Sequence, residues 1–141
     1  MKDQVTSIEQ SKRLIELGVP AEKASMVWHR MFRDKKTGYT EWALKIGPIQ
    51  KFPQLEVLQI IPAYTVADLQ GKVLPNVIQD AHNTYELTLK AVVGSGWRFC
   101  YTPVLTQLEA DNIGDEMGDN LIELLCNRIE WTVSNGYKLN I

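Results

Sequence analysis

The side chains of this sequence that could do chemistry are few: two histidines, two cysteines, one acidic run, and one segment where cations alternate with aromatic rings. His29 and His82 have no partner at metal-ligand spacing. His29 stands between Trp28 and Arg30, and as a catalytic base it needs a carboxylate brought from elsewhere in the fold. The simpler reading is a partly exposed structural imidazole. His82 precedes Asn83 at an expected turn and is read the same way. Cys100 and Cys126 form no CxxC or metal spacing and sit in apolar patterns, so two reduced, buried thiols are expected rather than a disulfide.

Hard cations prefer carboxylate oxygens, so Glu109, Asp111, Asp115, Glu116 and Asp119 raise a calcium or magnesium reading. Ile113, however, falls on a ligand position of a loop beginning at Asp111, and Glu116 replaces the glycine such a loop needs to turn. A solvated loop whose last acids complement the dipole of a following helix is the better fit. Gly94-Ser95-Gly96 puts a serine between glycines, yet its flanking residues make it a hairpin turn. No nucleophile elbow, phosphate loop, dinucleotide fingerprint or zincin helix occurs.

The remaining candidate is a surface: Trp28, His29, Arg30, Phe32, Arg33, Lys35, Lys36 and Trp42. Cations interleaved with aromatic rings can grip phosphates and stack bases. A solvated hairpin tip explains the lysines as well, with the rings then assigned to the core.

These residues must be positioned by a chain of 141 residues, which implies one domain over residues 1–141. Hydrophobic residues make up 45% and charged residues 23%, the balance of a folded protein rather than a disordered one. The net charge of -2 excludes the strongly basic balance usual for nucleic-acid affinity. It hides an asymmetry, with an excess of three positive charges in residues 1–75 and five negative in residues 76–141. No signal-like stretch or run long enough for a membrane span is present, so a cytoplasmic location and no membrane partner are expected.

Ser7-Ile8-Glu9-Gln10 reads as a capping box opening a helix that Gly18 closes, and Pro20 suits the first position of a second short helix through about Met26. Val27 to Phe32 and Tyr39 to Ile46 read as a strand hairpin around Arg33–Gly38, followed by a short strand from Leu55 to Ile61 ended by Pro62. Thr65 caps a helix with Asp68 in its first turn. Tyr85, Leu87, Leu89, Ala91 and Val93 share one face of a strand, and Trp97, Phe99 and Tyr101 resume it on the return. The expected register sets Val93 opposite Trp97, Ala91 opposite Phe99 and Leu89 opposite Tyr101. Leu105 to Gly118 reads as a loop, and from Asp119 a long amphipathic helix runs to Asn135-Gly136.

Three segments together resemble a family of small uncharacterised proteins carried by prophages and other mobile elements of anaerobic gut bacteria. They are Ile8 to Pro20 leading to Ala24-Ser25-Met26, then Ile61 to Leu69, then Asn135-Gly136-Tyr137. The resemblance covers less than half of the chain, and its motifs are caps and core positions, so it implies a bacterial cytosolic accessory protein and transfers no catalytic residue.

The expected fold is α+β: an antiparallel sheet of four or five strands, with an N-terminal helical hairpin and a long C-terminal helix packed on its apolar side. The leading function is a non-catalytic protein-interaction module, with a protein partner or a second copy bound through aromatic anchors. A nucleic-acid-binding accessory protein using the basic hairpin around residues 29–42 is the alternative, and a hydrolase built on His29 or the acidic run is third. No catalytic residue, metal ligand or cofactor is assigned.

Overall fold

A computed structural model describes residues 4–94, 96–106 and 108–141. Ser7 caps the first helix as its sequence requires: its hydroxyl accepts from the Gln10 N–H, and the Gln10 side chain accepts from the Ser7 N–H at 2.9 Å. Two otherwise free donors are thereby satisfied at once. This helix, α1 (Ile8–Glu16), buries Ser11 and Leu14. The expected second helix is only a turn of 3-10 helix, Ala21–Lys23. It stops there because the Ser25 N–H is drawn to the Asp68 carboxylate at 2.8 Å, and Met26 already pairs with strands on both sides.

The strands divide between two antiparallel sheets of four, rather than forming one. In the first, β1 (Met26–Asp34) is central, with β4 (Leu58–Ala63) along one edge and β2 (Gly38–Tyr39) and β3 (Ala43–Ile46) in succession along the other. Pro62 lies inside β4 opposite Val27 instead of ending the strand. An outer strand tolerates it, because the missing N–H has no ladder to serve on its free side. In the second sheet, β5 (Val77–Gln79), β6 (Thr84–Val92), β7 (Gly96–Pro103) and β8 (Ile113–Gly118) follow in order. Part of the expected loop from Leu105 to Gly118 is therefore a strand.

The β6–β7 ribbon keeps its expected faces but not its expected register. Ala91 opposes Trp97, Leu89 opposes Phe99 and Leu87 opposes Tyr101, a slip of two residues that keeps Tyr85, Leu87, Leu89, Trp97, Phe99 and Tyr101 on the core while Ala91 is exposed. Gly96 pairs with Val92 as a strand residue, and Val93 is pushed out to full exposure in the turn; Ser95 lies outside the described residues.

Thr65 and Asp68 form a second reciprocal cap on α2 (Val66–Asp68), which widens into a π turn over Leu69–Val73 before Pro75. The C-terminal helix, α3 (Leu121–Ser134), is capped by Asn120, whose side chain accepts from the Glu123 N–H. It buries Ile122, Leu124, Leu125, Cys126 and Ile129 against the second sheet, α1 and α2. A second, smaller cluster of Val5, Met26, Trp28 and Ala63 lies on the first sheet. Among the described residues no helix is long and apolar enough to cross a membrane.

Candidate functional site

Alternation along β1 sends Met26, Trp28, Arg30 and Phe32 to one face of the first sheet and Val27, His29 and Met31 to the other. Among the described residues the first face is covered at one end only. There the N-terminal segment crosses it: Trp28 Nε1 donates to the Thr6 carbonyl at 2.8 Å, and Val5 and Ile8 pack on Met26 and Trp28. Trp28, expected as part of an interaction surface, is 7% exposed and belongs to this core.

Toward the hairpin tip the same face continues without that cover. Arg30 stacks its guanidinium between two rings, 4.5 Å from the Tyr39 centroid and 4.4 Å from that of Trp42. Gln59, its neighbour across the β1–β4 pair, accepts from Arg30 Nε at 2.7 Å and donates to the Tyr39 hydroxyl at 3.2 Å. Phe32 meets Tyr39 edge-on at 5.3 Å. Arg30, Phe32 and Trp42 are half-buried and Tyr39 is 38% exposed. The long, flexible cation is thus fixed by its neighbours into a flat plate.

The other expected surface residues do not join this group. His29 is half-buried on the opposite face, opposite Ile60 and beside Lys45; burial, reinforced by the lysine charge, lowers its pKa. Among the described residues no carboxylate is paired with it, and base catalysis would need one. The cleft on that face, about 380 Å³, is bordered by Phe52, Leu55, Leu58 and Ile60 together with the polar Gln54 and Glu56. Arg33, Lys35 and Lys36 are exposed at the hairpin tip, where Asp34 accepts from the Lys36 and Thr37 N–H groups. Across residues 29–51 six basic side chains face two acidic ones, a local excess of four positive charges in a chain of net charge -2.

Three acids of the run, Glu109, Asp115 and Glu116, are paired with arginines. Arg98 on β7 binds Asp115 through two nitrogens, at 3.0 and 2.7 Å, and lies 3.5 Å from Glu109; Arg128 on α3 pairs with Glu116. The Arg98 hydrogen bonds hold the Asp115 carboxyl below the usual carboxylate range. Cys100 and Cys126 are buried free thiols, and burial pushes Cys126 up to about 12.

A constellation that spacing alone did not reveal joins Ser25, Asp68 and Lys72. Ser25 donates its hydroxyl to Asp68 at 2.5 Å, and Lys72 Nζ reaches Asp68 at 2.9 Å and the Ser25 oxygen at 3.2 Å. A serine–lysine dyad needs a neutral amine to accept the serine proton, but here the amine is ion-paired and the serine proton goes to the carboxylate. The cluster ties the start of β1 to α2. Its only legible trace was Thr65-Val66-Ala67-Asp68; Ser25 carries no local signal. No protein-family model, curated protein or solved structure matches the chain.

Proposed function

We propose that this protein is a non-catalytic interaction module that binds a protein partner through the uncovered end of the first sheet. The observation that carries this reading is the Arg30 guanidinium fixed between Tyr39 and Trp42 on a sheet face that, among the described residues, the N-terminal segment covers at its other end. Trp, Tyr and Arg are the residues that most often dominate binding energy; the rings offer a large contact at low ordering cost, and an arginine already held by its neighbours loses little more. The titratable candidates support no competing catalytic reading: His29 lies beside a lysine, Asp115 and Glu116 are paired with arginines, and Ser25 is engaged by Asp68.

A role as a cytosolic accessory protein of a prophage or mobile element belongs to the same proposal and rests on the sequence resemblance. Nucleic-acid binding is the second reading, favoured by the basic excess over residues 29–51.

The test compares wild type with a Tyr39→Ala/Trp42→Ala variant as bait, identifies what only the wild type retains, and repeats the binding with purified components. Loss of a direct, stoichiometric complex in the variant is the expected result. A strict monomer by light scattering with no direct partner overturns the proposal.

A further inference from the structure

The chemistry of the half-buried plate says what kind of segment it fits. Gln59 uses only Nε of Arg30. Among the described residues no ion pair engages its two terminal nitrogens, although Arg13, Arg98 and Arg128 all have acidic partners. A guanidinium whose plane is already fixed presents a two-pronged donor that matches a carboxylate, and little side-chain entropy is left to lose on binding.

We propose that the occupant is an extended acidic segment of a protein partner. Its Asp or Glu carboxylate takes both terminal nitrogens of Arg30, while adjacent apolar side chains cover Phe32, Tyr39 and Trp42. This assignment rests on the reading of the first sheet as the contact surface and adds the chemistry of what it contacts. Arg33, Lys35 and Lys36, exposed at the neighbouring hairpin tip, are complementary to such a segment and raise its encounter rate.

Nucleic acid fits the arrangement less well. A strand-binding platform repeats its cations beside the stacking rings, following the phosphates. Here Arg30 is the cation held among the rings. Arg33, Lys35 and Lys36 gather at one end, and Lys45, opposite Val27, lies on the far face with His29.

The experiment pans the full chain against a phage-displayed random peptide library. Enriched peptides are synthesised and titrated against wild type, Arg30→Ala and Arg30→Lys, with thermal unfolding showing that each variant is folded. Expected are peptides carrying Asp or Glu next to an apolar residue, with affinity falling about tenfold or more in Arg30→Ala and by an intermediate factor in Arg30→Lys, which keeps charge but loses the fork.

Enriched peptides without an acid, affinities indifferent to Arg30, full recovery by lysine, or no enrichment at all each overturn the proposal. So does tight, Arg30-dependent binding of a fluorescein-labelled oligo(dT) strand in place of the peptides. If the peptides fail while Tyr39→Ala/Trp42→Ala still abolishes the purified complex, the contact surface stands and only its acidic occupant falls.

Discussion

Ser25 and Asp68 lock together across 43 residues of chain: the Ser25 N–H at 2.8 Å and its hydroxyl at 2.5 Å each take one oxygen of a carboxylate that is 1% exposed. Burial alone would raise the Asp68 pKa, but donors from Ser25, Thr65 and Lys72 outweigh it and hold the group below its ordinary value. The folded state therefore resists protonation more than the unfolded chain does. Its contribution is complete above the unfolded value of about 4 and is lost as pH falls through the lower folded value. Asp68→Asn is expected to cost about 2–3 kcal/mol at pH 7, because the buried carboxylate that accepts from Ser25, Thr65 and the exposed Lys72 ammonium loses its charge. Urea unfolding at stepped pH checks this: the gap between wild type and variant should narrow below about pH 4.

Two glycines should respond in opposite directions to the same methyl group. At Gly96, φ is +83° and a Cβ would stand 2.5 Å from the Gly118 carbonyl oxygen, which belongs to backbone that cannot swing aside. Gly96→Ala is expected to cost about 3 kcal/mol or to prevent β8 from pairing. Gly71 has open space around its Cβ direction and no positive φ, so Gly71→Ala should stabilise by about 0.5–1 kcal/mol. Thermal unfolding of the two variants is sufficient to check both signs.

Local rules were legible where one segment carries its own cause. Ser7 with Gln10, Thr65 with Asp68, and the alternation of Tyr85 through Tyr101 each describe a contact within a turn or a ribbon. The strand β8 was hidden because Asp115 and Glu116 are stabilised by arginines on β7 and α3, and because Gly114 is required by the Trp131 ring, 3.0 Å from where its Cβ would be. Both causes lie far away in sequence. The candidate site was legible as a group of residue types around 28–42, but not in its division: strand parity puts Trp28 under the N-terminal segment, His29 on the other face, and leaves Arg30 with Tyr39, Trp42 and the distant Gln59. The register slip at Gly96 has the same origin, since the glycine answers to Gly118 rather than to the turn.

Thr6 is the hub that fastens the N-terminal segment to both helix and sheet. Its hydroxyl accepts from the Tyr64 N–H at 2.9 Å and lies 2.7 Å from the Ser11 hydroxyl, all of it buried. Thr6→Val keeps the shape and strands both partners, so a loss of about 1–3 kcal/mol is expected, with Thr6→Ser losing less. Trp28 fluorescence should report early loosening in the valine variant, because its indole donates to the Thr6 carbonyl.

The thiols offer a check on compactness. Cys126 is fully buried with its pKa near 12, and Cys100 is 3% exposed. The thiolate is the reacting species, so both should resist a thiol-specific disulfide reagent at pH 8 in the native protein and react completely in denaturant. Immediate reaction of either in the native state contradicts the packing of α3 or of β7.

Recognition and attraction can be separated at the hairpin. Arg33, Lys35 and Lys36 are exposed at its tip, whereas Arg30 is held by Tyr39, Trp42 and Gln59. Loose cations act at a distance and are screened by salt, while a fixed guanidinium acts on contact. A triple variant with glutamine at positions 33, 35 and 36 should therefore slow association with an acidic peptide and flatten its salt dependence, leaving the dissociation rate within about twofold of wild type. Arg30→Gln should do the reverse, raising the dissociation rate about tenfold or more at nearly constant association rate. Stopped-flow or surface-based kinetics at two salt concentrations distinguishes them, and equal effects on both rates in both variants mean that net charge, not the held plate, governs binding.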